Sequence, residues 1–218
     1  MSEPLRIEIE NKKKINLEKL KKELVKRGFT LEENIHENDP TLKVKGICCA
    51  IDPCYFLNSS YHKISNDTEI PTVLLLSIHF SAFVKYEFGE NMPSELNMDF
   101  IRNLNNLVTS ICNIVGVDFV CAKTTPGNIV GGFYYKDNRF KKVIEYIRFG
   151  LVKREKITKE DLTDESIKRL ISKIPGFNEK VNGMNCLWFV KAGTTGAGHY
   201  PDFLLYNFIS KQYGGYKK

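Results

Sequence analysis

Residues 97–116 constrain what this chain can fold into more tightly than any other segment. Phe100, Ile101, Leu104, Leu107, Val108, Ile111, Ile114 and Val115 recur at helical spacing, so a helix over Met98 to Val115 is apolar along one whole side. Its ends are marked as well. Asn97 can cap a free backbone N–H, Asp99 places negative charge at the positive end of the helix dipole, and Gly116 supplies a stop. A stripe of that length has to be buried, and the remaining chain must offer the apolar surface that covers it.

Strand patterns offer it. Leu5, Ile7 and Ile9 alternate with Arg6, Glu8 and Glu10, which predicts a strand with one buried face. Val117 to Lys123 and Ile129 to Tyr135 are joined by Thr124-Thr125-Pro126-Gly127-Asn128, a hairpin signal, and Gly131-Gly132 in the second arm predicts a bulge or a close backbone approach. Phe29 to Ile35 and Leu42 to Ile51 read as strands separated by Asn38-Asp39-Pro40, with Asp52-Pro53 closing the second, and residues 57–70 read as a polar loop. Ile78 to Phe88 alternates as a strand, with a helix over Thr72 to Val84 as the other reading. Cys186 to Ala192 is apolar enough for a buried strand.

Further helices are predicted over Leu17 to Val25 behind Asn16, over Arg139 to Val152, over Asp164 to Lys173 between Thr163 and Pro175-Gly176, and from Pro201 onward. Strands and helices fall in groups instead of alternating one for one. The expected class is therefore α+β, a mostly antiparallel or mixed sheet with helices packed on one face. A single domain over residues 1–218 is expected, with 89–97 as the place for any subdivision.

Charge is localised. The net charge of +6 equals the excess carried by residues 136–159, where nine cationic side chains face three acidic ones. Lys141, Lys142, Arg148, Lys153 and Arg154 are the candidate basic surface, interleaved with Tyr134, Tyr135, Phe140, Tyr146 and Phe149. Cations next to aromatic faces suit an acidic protein surface or single-stranded nucleic acid, so a protein partner is expected, with nucleic acid through residues 136–159 as the other possibility. The most apolar run, Ile70 to Val84, is too short to cross a bilayer as a helix, and no membrane span is expected. Six cysteines without an apolar leader point to free thiols and a cytoplasmic location.

Three clusters carry possible chemistry. Lys191, Gly193, Gly196, Gly198 and His199 would surround a Gly-rich turn between a strand and a helix, where backbone N–H groups favour an anion, although the spacing matches neither a phosphate-binding loop nor a dinucleotide fingerprint. Cys186 could pair with His199 as a nucleophile, but a cysteine opening an apolar strand is more often a core residue. Cys48, Cys49, Cys54 and His62 hold ligand-type atoms at a spacing unlike that of paired zinc knuckles, so no metal is assigned. No cofactor and no catalytic set is assigned either. The expected function is an intracellular interaction protein, a binder or inhibitor of a macromolecular partner of the toxin-neutralising or host-directed kind. The alternative is a small enzyme or a nucleotide- or anion-binding protein with its site at 193–200.

Overall fold

The computed structural model describes residues 5–13, 15–32, 41–47, 49–57, 60–63, 73–78, 82, 84–86, 93–124, 129–155, 162–173 and 177–188. Its first strand, β1 (Leu5–Glu10), follows the alternation of its sequence, with Leu5, Ile7 and Ile9 buried. Asn11 closes the turn that follows, donating through Nδ2 to the Ile15 carbonyl at 2.7 Å and accepting from the Ile15 N–H at 3.1 Å. Helix α1 (Leu17–Lys26) then starts where Asn16 accepts from the Lys19 N–H at 2.8 Å, and it buries Leu20 and Leu24.

The next strands are β2 (Leu42–Lys43), β3 (Cys49–Leu57), β4 (Ser60–Lys63), β5 (Val73–Ile78), β6 (Val84–Tyr86) and β7 (Pro93–Leu96). Helix α2 (Met98–Val115) has the predicted limits, with the Asn97 side chain accepting from the Phe100 N–H and Gly116 left-handed at φ 79°. The hairpin β8 (Phe119–Thr124) and β9 (Ile129–Tyr135) follows, then a short 3-10 turn, α3 (Phe140–Glu155), α4 (Asp164–Lys173), β10 (Phe177–Val181) and β11 (Met184–Trp188). The sheet runs β10-β11-β9-β8-β1-β5-β3-β2, with β4 also on β3, and β6 pairs with β7 in a separate two-stranded ladder. Every pairing among the described strands is antiparallel, so the α+β class with an antiparallel sheet is what the chain adopts.

Helices lie on both faces. On one, α1 and α2 cover a core that includes Ile7, Ile9, Leu76, Val120, Tyr134, Cys186 and Trp188. The neighbouring residues of the same strands, Cys121, Phe133, Tyr135 and Leu187, point the other way and meet Val143, Ile144 and Ile147 of α3 and Ile167 of α4. The one-face expectation thus describes α1 and α2, while α3 and α4 form a second layer over the β8-β9-β11 end. Each fully buried Leu, Ile or Phe contributes about 1.5–3 kcal/mol, so α2, buried at Ile101, Leu104, Leu107, Val108 and Ile111, is the main anchor of the first core.

Several boundaries differ from the sequence reading. β3 does not close at Asp52-Pro53: it continues to Leu57, and Pro53 pairs with Leu74 on β5. Its missing N–H is tolerated where the outer side of β3 passes from β2, paired at Ala50 and Ile51, to β4, paired from Cys54. The polar segment 57–70 contains β4, an edge strand. The run from Val73 is a strand and not a helix, and Leu31 makes only an isolated bridge to Val44. The helix expected from Pro201 lies outside the described residues.

Candidate functional site

The basic candidates Lys141, Lys142 and Arg148 all sit on α3, but they do different things. Lys141 and Lys142 are exposed. The Lys142 ammonium stands 4.5 Å from the centroid of the Phe119 ring, a cation–π contact that holds it on the outer side of the helix. Tyr146, one turn on, is 41% exposed and packs 5.5 Å from Phe119 and edge-on at 6.3 Å from Phe133. Its hydroxyl is pushed up to about 12, first by the neighbouring Cys121 sulfur and then by burial, so it is a neutral phenol at physiological pH.

Arg148 is committed inside the fold. Its Nε donates to the Leu162 carbonyl at 3.0 Å and its Nη2 to the Asp164 carboxylate, tying α3 to the first turn of α4. Arg139 is likewise paired, its Nε donating to Asp118 at 2.7 Å, and that guanidinium holds the Asp118 carboxyl below its ordinary range. Lys153 and Arg154 lie within α3. The surface contributed by described side chains is therefore narrower than the charge count suggests, centred on Lys141, Lys142 and Tyr146.

Three of the interleaved aromatic residues pack against the two cores. Tyr134 is fully buried in the first core, Tyr135 is buried in the second, and Phe140 packs against the second core. Spacing did not separate them, because strand β9 presents alternate aromatics to two different helical layers. Among the described four, Tyr146 is the most exposed and Phe140 is partly buried.

A second polar group went unread in the sequence. Asn105 is fully buried in α2, and its Oδ1 accepts from the Tyr134 hydroxyl at 3.0 Å and from the Trp188 indole N–H at 2.9 Å, while its Nδ2 donates to Glu179 at 2.6 Å. Nearby, Asn182 in the β10-β11 turn donates to Asn106, Thr109 and Ser110 of the same helix. These contacts latch the terminal hairpin onto α2. The signal for it was present: Asn182-Gly183 is the most favoured pair for a two-residue hairpin turn, and the two residues have φ of 50° and 77°.

The remaining candidates separate. Cys49, Cys54, Cys112, Cys121 and Cys186 are buried. Burial, reinforced by the charge of Glu179, pushes the Cys186 thiol up to about 12, which keeps it protonated at neutral pH, and burial raises Cys112 as well. Cys49 and Cys54, five positions apart on β3, belong to opposite faces of the sheet. Among the described residues no three His, Cys, Asp or Glu side chains could hold a metal ion, and no helix is long and apolar enough to cross a membrane. Lys191, Gly193, Gly196, Gly198 and His199 lie outside the described residues, as does Cys48. Alkylation followed by site-resolved mass spectrometry should label the five described thiols in denaturant and leave Cys112 and Cys186 unlabelled in the native protein. Native labelling of either at the denatured rate would contradict this placement.

No protein-family model matches the chain, and no curated protein or solved structure does.

Proposed function

We propose that the chain is an interaction protein that engages an acidic protein surface through the outer face of α3. One observation supports the reading above the others: Lys141 and Lys142 stand free on a helix anchored from beneath, with Lys142 braced on Phe119 beside the half-exposed Tyr146. The helix is fixed by Val143, Ile144 and Ile147 in the second core and by the Arg148–Asp164 clasp, so the two ammonium groups are presented with little ordering cost. An acidic protein is favoured over nucleic acid because three of the flanking aromatics, Tyr134, Tyr135 and Phe140, are engaged in packing against the cores.

The test uses poly-glutamate and a single-stranded homopolymeric DNA as probes. Poly-glutamate binding should weaken as salt rises, since exposed charges are screened over about 8 Å at physiological ionic strength. Lys141→Ser with Lys142→Ser should lower the affinity roughly five- to thirtyfold, the equivalent of two exposed ion pairs at about 0.5–1 kcal/mol each, with no loss of thermal stability. Tighter binding of DNA than of poly-glutamate would shift the proposal to nucleic acid. Salt-independent binding by wild type and variant alike would end it.

A further inference from the structure

We propose that Arg6 is the centre of an oxyanion-binding site on the face of the sheet opposite α1 and α2. Leu5, Ile7 and Ile9 of β1 enter the first core, so the alternate residues Arg6, Glu8 and Glu10 belong to the other face. That face is not simply wet over this part of the sheet. Arg6 and Glu8 are partly buried, and Leu75 of β5 and Cys54 of β3, which belong to neither core, are buried at 7% and 2% exposure.

Within this setting the Arg6 Nε is buried and has no hydrogen-bond partner, alone in this among the described side-chain nitrogen and oxygen atoms. Its guanidinium makes no ion pair among the described residues. An orphaned buried donor costs stability, and the five donors of a guanidinium form a fork matched to the two oxygens of a carboxylate or phosphate. The register supplies the rest of the site. Arg6 lies opposite Ser77 on β5 and opposite Lys123 on β8, so one level of the sheet brings together a guanidinium, a hydroxyl residue and a second cationic residue. Glu8, one pleat further along β1, has interactions of its own. The ligand class is a small oxyanion or a group bearing one, a carboxylate or a phosphate.

Side-chain 1H–15N spectra of the Arg6 Nε–H group, recorded while inorganic phosphate or acetate replaces chloride at constant ionic strength, test the assignment. The resonance should move saturably with at least one of the two anions, and the tighter of them distinguishes a phosphate-bearing from a carboxylate-bearing ligand. Thermal stabilisation by that anion should vanish in Arg6→Met, fall to about one tenth of the affinity in Arg6→Lys, which lacks the fork, and persist in the Lys141→Ser, Lys142→Ser variant. An Arg6 resonance unmoved by both anions would overturn the proposal, as would stabilisation that survives in Arg6→Met. If Arg6→Met fails to fold, the wild-type titration decides alone.

Discussion

Replacing Asn105 by leucine is expected to cost about 3–5 kcal/mol, the largest single loss in the molecule, measured by chemical denaturation. Leucine nearly preserves the volume and removes every polar atom. The Tyr134 hydroxyl and the Trp188 indole N–H, both buried and both donating to Asn105, then lose that acceptor, and Glu179 loses its amide donor. Each stranded buried donor costs about 1–3 kcal/mol, whereas deleting a hydrogen bond together with both its polar groups is nearly neutral. Adding Tyr134→Phe to Asn105→Leu should therefore recover about 1 kcal/mol or more. A loss below about 1 kcal/mol for Asn105→Leu alone would show that water reaches these groups and that the latch between α2 and the terminal hairpin is weak.

The second large effect comes from adding one carbon. Gly132 on β9 pairs with Trp188 on β11, and a Cβ at position 132 would stand 2.6 Å from Cδ2 and 2.7 Å from Cε3 of the indole. No side chain fits there, so Gly132→Ala must displace a ring that is 1% exposed and packed edge-on at 5.6 Å against Tyr134. Overpacking of this kind costs about 2–3 kcal/mol. Because the chain has a single tryptophan, its fluorescence reports the event directly: emission should move to longer wavelength as the indole leaves its site and its bond to Asn105. Unchanged emission with unchanged stability would contradict the contact.

Local signals were sufficient where a single element decides its own shape. Asn97 and Gly116 mark the ends of α2, the alternation of Leu5 to Glu10 marks β1, and Gly131-Gly132 marks a close approach that proves to be Gly132 against Trp188. Sequence failed where a partner strand decides. β3 runs through Pro53 because β5 pairs with it along its length, and β4 forms from polar residues because an edge strand needs backbone partners more than apolar side chains. Local signals placed helices at α3 and α4. They could not show that these two helices cover the opposite face from α1 and α2, since that depends on which alternate residues of β8, β9 and β11 each layer meets.

The candidate surfaces were legible as charge and illegible as geometry. Arg148 counts as a surface cation in the sequence and is consumed by Asp164 and Leu162, contacts that no spacing rule links across the segment between α3 and α4. Arg6 reads as the polar half of an alternating strand, and only its burial and its register opposite Ser77 and Lys123 set it apart.

Hydrogen exchange measured with and without poly-glutamate at low salt tests the proposed α3 surface most directly. The proposal predicts slowed exchange concentrated in the amides of residues 139–148, lost in the Lys141→Ser, Lys142→Ser variant. Binding that leaves these amides unchanged and protects another part of the chain would contradict it.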